Sequence, residues 1–102
     1  MPSDPHRIPL KDALRMVRRA RRAKLLPVTC WTIDAKAIQR ILKQKATRQL
    51  RVYFALDDKG SPTLVFLGAD AQGGDQHDGE IAEYSLPCPP MCPPDSPFQR
   101  SR

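Results

Sequence analysis

From Gln49 to Leu56 apolar and polar positions alternate, with Leu50, Val52, Phe54 and Leu56 on one side and Gln49, Arg51, Tyr53 and Ala55 on the other. A period of two is the signature of a strand with one buried face, so the aliphatic row is expected to face the core. Asp57-Asp58-Lys59-Gly60-Ser61-Pro62 interrupts the pattern, and residues 63–67 resume it as Thr-Leu-Val-Phe-Leu, apolar on both sides. The two segments read as a hairpin whose second strand is buried on two faces.

Upstream the period lengthens. From Leu10, the residues Ala13, Leu14, Met16, Val17, Ala20 and Ala23 share one half of a helical wheel, while Lys11, Arg15, Arg18, Arg19 and Arg22 occupy the other. Arg21 and Lys24 fall on the apolar side, which places the helix end near them, and Pro27 marks the stop. Residues 28–33 (Val-Thr-Cys-Trp-Thr-Ile) are β-branched and aromatic and predict a short strand. Asp34 is suited to cap a second helix, because its carboxylate can accept the free amides of the first turn. That helix carries a narrow stripe of Ala35, Ile38, Ile41 and Leu42, shows Lys36, Gln39, Arg40, Lys43 and Gln44 outward, and is expected to end near Lys45.

Residues 69–80 form a polar, glycine-rich loop, and 81–86 predict a last short strand. The composition then changes abruptly to Pro87-Cys88-Pro89-Pro90-Met91-Cys92-Pro93-Pro94. Such a run favours polyproline II and cannot enter a central ladder, since each proline lacks an amide donor. The chain therefore divides into an irregular arm (1–9), one domain (10–86) and a proline- and cysteine-rich tail (87–102). The expected fold is α+β, a two-layer sandwich with two helices on one face of a small, mainly antiparallel sheet of three to four strands and a proline-rich strap. No third helix is present to cover the sheet face that carries Tyr53, whereas a second copy of the chain could cover it.

Composition sharpens this picture. The net charge of +6 conceals fourteen Lys/Arg against three Asp in residues 1–51 and three against eight acidic residues in 52–102. This polarity points to an anionic partner for the first half, or to attraction between opposite halves of neighbouring copies. No apolar run reaches membrane-spanning length and the N-terminal residues lack a signal-peptide core, so no membrane partner and a cytoplasmic location are expected. Cys30, Cys88 and Cys92 are too few, and odd in number, for a disulfide scaffold.

One set of residues also carries a likeness: 8–13 (Ile-Pro-Leu-Lys-Asp-Ala) with Met16, 38–42, 51–57, Gly60, 62–65, Gly68, Asp70, and the Pro-Cys-Pro-Pro-Met-Cys ending at 87–92. Over residues 8–92 the chain resembles a family of small uncharacterised bacterial proteins with a Pro-Cys-Pro-Pro-x-Cys ending. The resemblance implies the fold and no activity. The run Arg18-Arg19-Ala20-Arg21-Arg22 is more basic than that family's usual first helix.

Three chemistries are then weighed. Lys11, Arg15, Arg18, Arg19 and Arg22 could neutralise phosphates along a nucleic-acid backbone or dock an acidic protein, although no nucleic-acid-binding motif accompanies them. As a bland alternative they form a solvated helix face. Cys88 and Cys92 are weak metal candidates: in polyproline II they would lie about 12 Å apart, and only a turn or a cis-proline would bring them together. More simply the segment is a rigid strap over its own sheet or a neighbour's. The carboxylates of 70–80 do not follow a calcium-loop spacing and read as a solvated loop. No nucleophile, acid-base pair or phosphate-binding loop can be assembled, so no enzyme and no cofactor are expected. The expected function is a non-catalytic association module, most simply a self-assembling homo-oligomer or filament, using Tyr53, Pro87, Cys88, Pro89, Pro90 and Cys92. A nucleic-acid-binding protein and a small zinc protein are the alternatives.

Overall fold

The computed structural model describes residues 4–100 and belongs to the α+β class. In chain order the elements are α1 (Leu10–Ala23), β1 (Cys30–Thr32), α2 (Ala35–Leu42), β2 (Gln49–Leu56), β3 (Pro62–Ala69), β4 (Ile81–Ala82), β5 (Leu86–Cys88) and a 3-10 turn at Pro97–Gln99. The outer ends of the expected arm and tail, 1–3 and 101–102, lie outside the described residues.

The strands divide into two antiparallel sheets rather than one. β2, β3 and β4 are neighbours in that order, and β1 pairs separately with β5. Alternation and turn chemistry explain the first sheet. Asp57 accepts from the amides of Lys59 and Ser61 (both 2.9 Å), and Gly60 adopts φ +79°, a conformation that glycine enters without a Cβ penalty. The turn sets a full register from Gln49↔Ala69 to Leu56↔Pro62.

The expected last strand splits in two, because Tyr84 takes a positive φ of 61° between β4 and β5. β5 crosses the expected boundary at residue 86 and places Cys88 opposite Cys30 and Pro87 opposite Trp31. The tail therefore does not run on as polyproline II. Two cis bonds, Cys88–Pro89 and Pro89–Pro90, lie in a turn that brings Cys88 and Cys92 to a Cα separation of 4.6 Å, joined as a disulfide.

α2 behaves as its sequence requires at its start, with the Asp34 carboxylate accepting from Lys36 N at 2.9 Å. It stops at Leu42, short of Lys45, because Gln44 turns inward: its side-chain amide donates to Ile41 O (2.8 Å) and its oxygen accepts from Glu80 N (2.7 Å). Ile41 is fully buried against the three-stranded sheet, while Leu42 stays half exposed. α1 departs further from expectation, since its packing partner is the C-terminal 3-10 turn rather than the larger sheet. Arg21, on the side expected to be apolar, donates to Phe98 O at 2.6 Å. No residue of α1 is buried, because a stripe containing Ala13, Ala20 and Ala23 offers little area to pack.

The core is small as a result. Among the described residues, the buried apolar ones are Ile41, Phe66, Leu67, Ala69 and Cys88, whereas fifteen large apolar side chains remain exposed. The accessible surface is 8160 Å², against about 5,800 Å² for a compact monomer of this mass. The radius of gyration of 15.6 Å likewise exceeds the roughly 13 Å of a compact chain this long.

Candidate functional site

The larger surplus of apolar surface lies on β2. Its even-numbered residues were expected to form the core, yet Leu50 is 38%, Val52 47%, Phe54 57% and Leu56 66% exposed. The register places this row beside Gly68, Phe66, Leu64 and Pro62 of β3, so all eight positions share one sheet face. Cover arrives only at the two ends of that face. At one end Gln44 and Thr47, following α2, press on Gly68, where a Cβ would meet Thr47 at 3.1 Å, Gln44 at 3.2 Å and the Gln76 side-chain oxygen closer still. At the other end Trp31 meets Phe54 edge to face at 6.3 Å and its indole N–H donates to Pro62 O at 3.3 Å. An eight-residue helix cannot span the sheet, and α1 is held elsewhere, so the β2 row stays open.

The opposite face has its own cover on β2. Asp75 accepts from Arg51 at 2.8 Å and from the Tyr53 hydroxyl, and Arg51 also donates to Gly73 O at 3.1 Å. The loop is braced by Asp70, whose carboxylate accepts from Gln72 N and Gly74 N, and by Gln76, which links Thr47 to Lys45 O. The acceptor role of the Asp75 carboxylate, with its nearby negative charge, raises the Tyr53 pKa above the ordinary tyrosine value. Tyr53 is thus held at its hydroxyl by Asp75 while its ring stays 47% exposed, as open as Val52 on the other face. Two acids of the loop, read as solvated and part of the acidic half that could attract a neighbouring copy, are engaged at home, Asp75 with Arg51 and Glu80 with Arg40.

The basic face of α1 is present: Lys11, Arg15, Arg19 and Arg22 are exposed. Arg15 is paired with Asp12 at 2.9 Å, and Arg18 is half buried, with a buried Nε that has no hydrogen-bond partner. Between the end of α1 and β1 lies an apolar cleft of about 250 Å³, formed mainly by Val17, Ala20, Leu25, Leu26, Val28 and Trp31.

The cysteines converge, which the sequence did not require. Cys88 is buried, Cys30 lies across from it as a free thiol, and the Gln99 side chain reaches both sulfurs. Pro89, Pro90 and Cys92 are exposed at the turn. As a disulfide, Cys88 and Cys92 present no thiolate to a zinc ion in this state. Among the described residues no three His, Cys, Asp or Glu side chains are placed to hold a metal ion, and no helix is long and apolar enough to cross a membrane.

The sequence pointed to Tyr53 and the strap and missed Leu50, Val52, Phe54 and Leu56 as surface. The missed signal was an imbalance. Two short helices, one of them alanine-rich, cannot cover every apolar face that a hairpin of this composition presents. In comparisons with known proteins, no family model, curated protein or solved structure matches this chain.

Proposed function

We propose that this protein is a non-catalytic association module that works as a homo-oligomer. The observation that carries the reading is the open β2 row, an aliphatic and aromatic strip of four side chains on an ordered strand rather than in a loop. The surface in excess of a compact monomer is roughly 2,400 Å², while a standard interface removes about 800 Å² from each partner. Burying that strip converts exposed Leu, Val and Phe into core at about 25 cal/mol per Å² before the cost of association. The resemblance to small bacterial proteins with the Pro-Cys-Pro-Pro-x-Cys ending adds no activity to this reading.

The cytoplasmic setting expected from the sequence is one in which glutathione holds cysteines as thiols, whereas a Cys88–Cys92 disulfide belongs to an oxidising setting. Alkylation of the pair in intact cells decides between them.

Size-exclusion chromatography with light scattering, at low and high salt and with the ultraviolet ratio recorded, tests the function. A defined oligomer at both salts, free of 260 nm absorbance, is the expected result. An oligomer that dissolves at high salt would transfer the role to the charged patches, and a monomer carrying salt-strippable nucleic acid would replace association with nucleic-acid binding by α1.

A further inference from the structure

β2 is an edge strand, and its backbone shows which residues look outward. Asp57 N donates to Ser61 O at 2.9 Å, continuing the register in which Leu56 faces Pro62. In an antiparallel ladder hydrogen-bonded and non-bonded pairs alternate, so the odd-numbered residues of β2 bond to β3. Pro62, which has no N–H, accordingly faces Leu56 in a non-bonded pair. On β3 the even-numbered Gly68 turns its carbonyl the other way, to Gln76 N at 2.9 Å. The amides and carbonyls of Leu50, Val52, Phe54 and Leu56 therefore point out of the sheet edge.

Exposed edges are normally guarded by a lysine, a proline, a bulge or brevity. β2 has eight residues, no proline, and a register that runs unbroken; its one cation, Arg51, is turned to Asp75. The other edge, β4, is two residues long and offers no comparable template.

From this we infer that the partner is a second copy of the chain, joined β2 to β2, antiparallel, about a two-fold axis at Tyr53; the inference rests on the self-association reading above. An axis perpendicular to the sheet keeps the same face on the same side in both copies. Centred on Tyr53, it opposes Val52 to the partner's Phe54 and Leu50 to the partner's Leu56, so every outward-looking residue of β2 finds a bonding partner. The two apolar rows then merge into one strip. Beyond the strand ends the pairing brings Arg48, just before β2 with its amide bonded to Ala69 O, toward the partner's hairpin turn that carries Asp58, at both ends of the pair. Neither charge has an ion-pair partner within the chain among the described residues. Because the long edge is consumed in a symmetric contact, the assembly closes as a dimer with a six-stranded sheet and does not propagate.

The test uses full-length protein carrying Cys30→Ser, which leaves the Cys88–Cys92 bond in place. Tyr53 and its symmetry mate form a non-bonded pair with Cα atoms about 4.5 Å apart, within disulfide reach, so Tyr53→Cys should cross-link into dimers under mild oxidation. Arg51→Cys should not, since its mate lies about 13 Å away along the strand. Independently, and without touching the sheet, Arg48→Glu should weaken the dimer roughly tenfold, and adding Asp58→Arg should restore it. A wild-type dimer that neither cross-links through Tyr53→Cys nor responds to Arg48→Glu overturns the β2 pairing and leaves self-association elsewhere on the surface. A wild type that stays monomeric up to millimolar concentration overturns both.

Discussion

β2 and β3 are the two arms of one hairpin, each of eight residues and similar apolar content, yet they end in opposite environments. β3 carries Thr63, Phe66, Leu67 and Ala69 as buried residues, while no residue of β2 is buried. The difference lies in position. β3 has β2 on one side and β4 with the Asp75 and Gln76 loop on the other, and α2 ends over its Gly68. β2 has a strand neighbour on one side only, with the arm at His6 lying near its first residues, Gln49 to Arg51. Apolar alternation thus specifies that a face is to be buried, and topology decides whether the chain itself can bury it or a second copy must.

The contrast breaks most visibly in the core. Phe66→Ala should destabilise the monomer by about 3 to 5 kcal/mol, a large part of a small domain's stability, whereas Phe54→Ala should cost the monomer about 1 kcal/mol, chiefly its edge contact with Trp31. Denaturant titration at low protein concentration measures both. Equal losses would mean that the two strands are equally buried in the monomer.

The pattern should reverse for assembly. Val52→Lys with Phe54→Lys places two charges on the open row, and light scattering should report a monomer whose circular dichroism is unchanged. A persisting oligomer would detach association from β2.

Charge on α1 should matter far less. Arg18→Glu with Arg22→Glu is expected to leave the dimer dissociation constant within about twofold, since α1 lies off the large sheet. A loss of assembly would restore the basic helix as the interface.

The smallest effect concerns the Tyr53 face of β2. Because the Tyr53 pKa is raised by Asp75, the hydroxyl–carboxylate bond contributes fully below the ordinary tyrosine value and is lost as pH rises through the folded value. Absorbance at 295 nm should show Tyr53 titrating late, and Asp75→Asn should bring it back toward the ordinary tyrosine value.

Much of the local structure was legible in the sequence. The period-2 run and its Asp-Gly turn placed β2 at Gln49–Leu56, Asp34 capped α2, and the α+β class followed from the element order. What stayed hidden was the choice of distant partners. Pro87 and Cys88 found Trp31 and Cys30 across more than fifty residues, which split the expected single sheet, and α1 turned to Phe98 instead of β2. Neither choice leaves a periodic trace, because each depends on which surface reaches the other first and fits. The open β2 row follows from those two choices.

Amide hydrogen exchange along β2, followed by NMR as a function of protein concentration, tests the central claim most directly. The N–H groups of Arg51, Tyr53 and Ala55, bonded to β3, should be protected at every concentration. Those of Leu50, Val52, Phe54 and Leu56 should exchange freely in dilute protein and gain protection as the dimer forms. If these four amides still exchange freely where light scattering shows a dimer, the edge of β2 is not the interface.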